Sequence, residues 1–156
     1  MISDLRNIKR SVYYHFKDGF EDWTRVAVLD KFSNVDKSIP CIVIRYVISN
    51  LKQLQLGDPT LKDVADDFEI QIFASGSGEL EDMADKCLKL LESTVLWVDY
   101  STAFPDAVDY DESDQQVGIL TLFGTPNYSP VDEDISEDEL NRHRGVVRFS
   151  LQRNNK

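Results

Sequence analysis

Apolar residues recur at helical spacing near the start of the chain. Leu5, Ile8, Val12, Phe16 and Phe20 form one stripe, which Tyr13 and Tyr14 widen. The spacing predicts a helix over 1–23, with Ser3 or Asp4 as its cap and Gly19 as a candidate stop. Three short strand-like segments follow. V-A-V-L within 25–32 is the first, and the β-branched run I-P-C-I-V-I-R-Y-V-I over 39–48 is the second. Pro40 has no N–H and belongs at that strand's start or on an edge. A loosely alternating segment over 50–56 is the third, broken by Gly57-Asp58-Pro59. Over 67–74, D-F-E-I-Q-I-F-A alternates strictly. Phe68, Ile70 and Ile72 point one way and Glu69, Gln71 and Phe73 the other, the pattern of a half-buried strand.

After the turn Ser75-Gly76-Ser77-Gly78, the stretch 79–94 reads as a second helix. Leu80, Met83, Ala84, Cys87, Leu88 and Leu91 share a face, and Glu79, Glu81 and Asp82 sit in the first turn, where the helix dipole favours negative charge. Strands are predicted over 95–100, 117–123 and 144–153. The order is not a βαβ alternation. It predicts an α+β fold: a single antiparallel or mixed sheet packed against an N-terminal helix and a central amphipathic helix, in one domain over 1–156. Long acidic loops are expected over 101–116 and 125–141, with a short acidic helix over 132–140 capped by Ser136.

Charge sharpens this picture. The 156 residues hold 28 acids and 17 bases, a net of −11. Twelve of those acids lie between Asp99 and Glu139, a stretch with no Lys or Arg, while the last 17 residues carry five bases and no acid. Bulk attraction to nucleic acid is excluded by the sign of the net charge. An acidic loop beside a basic strand in one monomer explains the segregation. So do complementary surfaces between copies, since such patterns fix partner and register. On the second reading the contacts are Arg142, Arg144, Arg148 and Arg153 on one side, and Asp109, Asp111, Glu112, Asp132, Glu133, Asp134, Glu137 and Asp138 on the other.

Candidate chemistry is sparse. Cys41 and Cys87 lie in apolar surroundings and belong to no C-x-x-C pair, which argues against a disulfide scaffold or a cysteine zinc site and for a reducing cytoplasm. No apolar run approaches the roughly 18 residues of a membrane span. His15 borders the first helix's apolar stripe, and His143 precedes the last strand. Neither has metal-ligand spacing. The Ser75–Glu79 loop lacks the residues of a P-loop, and the acids following it repel phosphate. The carboxylates at 106–114 lack the central Gly and terminal Glu of an EF-hand. The aromatics read as scattered rather than interleaved with bases. No catalytic residue, metal or cofactor is expected.

The order of elements resembles that of tail terminator and neck proteins of long-tailed bacteriophages. The resemblance runs from the aromatic-bearing first helix through the segment opened by Pro40. It continues in the block 54–91, where L-Q-L-G-D precedes D-F-E-I-Q-I-F-A-S and an amphipathic helix, and ends in R-G-V-V-R-F-S-L-Q-R. The region 104–114 has no counterpart. The resemblance implies a structural subunit of the virion tail or neck, assembled in the host cytoplasm as a ring of six copies. Its partners would be the tail tube protein and a head connector or completion protein. DNA would pass through the lumen without sequence-specific binding, and no membrane would be involved. The rival reading is a small acidic inhibitor or immunity-type protein that masks a basic protein. An enzyme built on converging carboxylates is a third.

Overall fold

The computed structural model describes residues 4–30, 39–53, 62–98, 116–131 and 143–155. Helix α1 (Asp4–Gly19) ends at the expected glycine, and turns rather than helix carry the chain on past Phe20 towards Trp23. Ile8, Val12, Phe16 and Phe20 are buried as the periodicity requires, whereas Leu5, placed in the same stripe, is 37% exposed at the helix's first turn.

Strand β1 (Ala27–Leu29) is only three residues long and pairs in parallel with β2 (Cys41–Gln53). Pro40 stands just before β2, where its missing N–H costs no ladder bond, and its carbonyl accepts from Ala27 N at 3.1 Å. The segments expected at 39–48 and 50–56 prove to be one strand as far as Gln53, with a register shift between Tyr46 and Ile48. A bulge adds a residue without ending a strand, so it breaks the alternation that a sequence reading follows. Strand β3 (Lys62–Phe73) begins five residues before its alternating core and runs antiparallel to β2.

Helix α2 (Ser77–Glu92) leads into β4 (Val95–Val98). Strand β5 (Gln116–Leu122) and β7 (Arg144–Asn155) match the expected strands. Strand β6 (Asn127–Pro130) lies in a stretch read as loop, because N-Y-S-P has no strand composition. It pairs with the first half of β7, while β5 pairs with the second half. The connection turns at Gly124, whose φ of +79° favours glycine. The rest of the expected 101–116 loop, up to β5, and the 132–140 helix lie outside the described residues.

The result is a mixed seven-stranded sheet in the order β1-β2-β3-β7-β5-β4, with β6 beside β7. Both helices cover one face, so the fold is α+β as expected. The main core joins Ile8, Val12 and Phe16 of α1 and Met83, Cys87 and Leu91 of α2 to Ile42, Phe68, Ile70, Val147 and Leu120 of the sheet. The opposite face is not wholly solvated. Phe73, expected to point outward from a half-buried strand, packs with Cys41 and Val43 in a second small cluster against Ala27, Leu29 and Ile39.

Two polar contacts fix the helices to their neighbours. The buried Ser11 hydroxyl accepts from Val98 N at 3.0 Å, where the β4–β5 register shifts. His15 Nε2 lies 2.8 Å from the carbonyl of Leu90 in the last turn of α2. His15 is thus a half-buried packing residue that meets a helix-end carbonyl.

Candidate functional site

Three of the four residues of the expected basic surface, Arg144, Arg148 and Arg153, lie on β7, and their side chains meet β3 of the same chain. Arg153 lies against Asp66, with Nε to Oδ2 at 2.8 Å and Nη2 to Oδ1 at 2.9 Å. Asp66 is fully buried, and the Tyr46 hydroxyl stands 3.4 Å from the same carboxylate. On the opposite face Arg148 Nε reaches Glu69 Oε2 at 3.3 Å. Arg144 Nε donates to Gln71 Oε1 at 2.9 Å, and its guanidinium lies 5.1 Å from the Phe73 ring centroid. Gln71 in turn donates to Glu69. The ladder explains these meetings, since Glu69 stands opposite Arg148 and Phe73 opposite Arg144.

Arg153 is therefore held inside the fold. Arg148, with 64% of its side chain exposed, retains a solvent-facing side. Reversing Arg144 and Arg148 together would disturb the β3–β7 ladder as well as any contact between copies. Arg142 and all eight acids of the expected interface (Asp109, Asp111, Glu112, Asp132, Glu133, Asp134, Glu137 and Asp138) lie outside the described residues.

A different basic surface emerges on α1. Arg6, Lys9 and Arg10 share a cleft of about 670 Å³ with Tyr13, Tyr14 and Tyr46, between α1 and β2. Lys9 Nζ sits 5.8 Å from the centroid of Tyr46 across this cleft. Burial, then Asp30 and Tyr14, raise the pKa of Tyr13, whose hydroxyl donates to Val28 O at 3.3 Å. The cleft was legible as R-x-x-K-R-x-x-Y-Y over 6–14, bases and aromatics interleaved at helical spacing. The same helix carries the core stripe Ile8, Val12 and Phe16, whose period dominates this segment.

The loop before α2 is filled by its own carboxylate. Gly76, at the cap position, supplies no side-chain hydrogen bond. Glu79 instead accepts from Ser75 N at 2.9 Å and from Ser75 Oγ at 2.7 Å, with Arg25 at 3.5 Å. This is the place a phosphate would take at a helix N-terminus. Burial alone would raise the Glu79 pKa, but the two Ser75 hydrogen bonds and Arg25 outweigh it and lower it. A carboxyl with a depressed folded-state pKa stabilises the fold above its unfolded pKa. That contribution is lost as pH falls through the folded value. Glu79→Gln should cost about 1 kcal/mol at neutral pH and little in acid, measured by urea unfolding at both pH values.

The cysteines are free and buried, with their thiols pushed up to about 11 for Cys41 and about 12 for Cys87 by burial. They are packing residues rather than nucleophiles. Among the described residues, no three His, Cys, Asp or Glu side chains gather where they could hold a metal, and no helix is long and apolar enough to cross a membrane. Comparison of the chain with protein-family models and with curated proteins gives no match.

Proposed function

We propose that this chain is a structural subunit of the tail-terminator type. Six copies form a ring that caps the phage tail tube, stops its polymerisation and offers a surface for joining to the head connector. The reading begins from the sequence resemblance. The observation that carries it further is that the sheet ends on two unlike edges. On one side, β1 covers only Cys41–Val43, so the outer edge of β2 from Ile44 onward carries no strand among the described residues. On the other, the short β4 pairs with β5 alone among the described residues, and Leu96 exposes 41% of its surface there. Unlike surfaces on opposite sides of a subunit favour head-to-tail contacts, which close into a ring when the rotation permits.

The action is geometric rather than catalytic. One ring face fits the tube and the other does not repeat it, so growth halts. The net charge of −11 lets DNA pass without being held. The site of action is the virion tail or neck, after assembly in the host cytoplasm. Electron microscopy of the purified protein tests this: annular particles with six-fold class averages are expected, and particles no larger than one subunit at every concentration would favour the acidic-inhibitor reading instead.

A further inference from the structure

We infer that the cavity at the C-terminal end of α1 is a recognition pocket for an arginine side chain presented by a protein partner. The inference is independent of the ring reading, since it names a site for one side chain whatever the number of copies that assemble.

The cavity holds about 330 Å³ and lies where the end of α1, the turns after it and β1 meet. That is the lower end of ligand-pocket size, about 300–1,000 Å³, with room for one long side chain rather than a strand or a helix. Part of its lining is apolar and part is acidic. Phe20, Trp23, Val26 and Val28 form the apolar part, and the Phe20 and Trp23 rings meet edge to face at 5.4 Å. Asp18 and Glu21 form the acidic part. Both of these acids are exposed, and neither forms an ion pair among the described residues. Among the described residues lining the cavity, Lys17 is the only cation. Its ammonium is drawn back along the helix to the Tyr13 and Tyr14 rings, 5.8 Å from each centroid.

The occupant follows from this chemistry. Two carboxylates repel an anion, and the last turn of a helix favours a cation. The apolar floor rejects a bare hydrated ion but suits a cation on an apolar stem. Trp23 already shows this preference within its own chain: Lys86 Nζ lies 5.3 Å from its ring centroid and 3.6 Å from Asp22 Oδ1. The cavity offers the same two kinds of partner, ring and carboxylate, and Lys86 is not part of its lining. Among cations on a stem, the arginine guanidinium matches best. It is planar, stacks on aromatic faces, pairs with carboxylates through a fork of N–H donors and is less strongly hydrated than an ammonium. A free polyamine fits less well, because its inner charges would lie against Phe20, Val26 and Val28.

Nuclear magnetic resonance of the full chain tests the inference. The chain has two tryptophans. Trp23 is half-buried in the cavity wall, and Trp97 is 6% exposed in the core. Their indole N–H resonances therefore give a reporter and an internal control, told apart by Trp23→Phe. Titration with blocked arginine, N-acetyl-arginine methylamide, should move the Trp23 resonance saturably at millimolar concentration and leave Trp97 in place. Asp18→Asn together with Glu21→Gln should weaken that binding roughly tenfold. Circular dichroism checks that this variant is folded, as expected for exposed carboxylates that hold no ion pair. Blocked lysine should bind more weakly than blocked arginine, and blocked glutamate should leave Trp23 unmoved. A Trp23 resonance that arginine does not move, or equal binding by the Asp18→Asn/Glu21→Gln variant, overturns the pocket. Tighter binding of spermidine than of blocked arginine overturns the protein side chain as its occupant.

Discussion

Asp66→Ala should destabilise the protein by about 3–5 kcal/mol, the range for breaking a buried ion pair from one side. Asp66 is fully buried on the helix-covered face of β3, and it holds Arg153 through two hydrogen bonds, with Tyr46 beside it. Removing the carboxylate leaves a guanidinium with only 19% of its side chain exposed, unable to recover its lost hydration. The loss is a large part of the total stability of an ordinary domain, about 5–15 kcal/mol. Adding Arg153→Met should restore more than half of it, since the pair and its desolvation disappear together. Urea midpoints for the two single variants and the double variant form the cycle. A double variant no more stable than Asp66→Ala would show that Arg153 is not the group stranded by the loss.

Phe149→Ala should cost about 3–5 kcal/mol, in the range for truncating a buried aromatic. Phe149 stacks on Phe68 with ring centroids 5.6 Å apart and planes at 10°, and meets Phe16 of α1 at 6.0 Å. It joins the two central strands to the first helix, so the cavity would open where the sheet and helix layers meet. Phe149→Leu should cost clearly less, because it keeps most of the volume. Equal losses for both, measured by urea unfolding, would mean that ring stacking rather than cavity volume dominates.

The positions of α1, α2, β3 and β7 are visible in the sequence because each carries a sustained period. Ile8, Val12 and Phe16 mark a helix, and Phe68, Ile70 and Ile72 a strand, before any tertiary information is needed. Elements without a period are less legible. Strand β6 is strand only because the first half of β7 offers an unpaired edge, which no local property of Asn127–Pro130 records. The union of the two segments in β2 depends on a bulge, and the burial of Phe73 depends on the short parallel β1 beside Cys41 and Val43, whose Ala27 and Leu29 pack against the same cluster.

For the site, charge segregation marked the last strand as basic but could not say which of its cations were already engaged. Arg148 and Arg153 look available in a tail of five bases. Their acidic partners, Glu69 and Asp66, are about 80 residues earlier in the chain; the β3–β7 register sets Glu69 opposite Arg148 and brings Asp66, which stands opposite Leu151, within reach of Arg153. The cations of the α1 cleft were masked instead by the apolar stripe sharing their helix.

Self-assembly is the central claim, and solution mass tests it most directly. Light scattering after size exclusion, across protein concentration and at two salt levels, should find a discrete species near 107 kDa, six times the 17.9 kDa of one chain. A mass of one chain at every concentration and both salt levels would contradict the account.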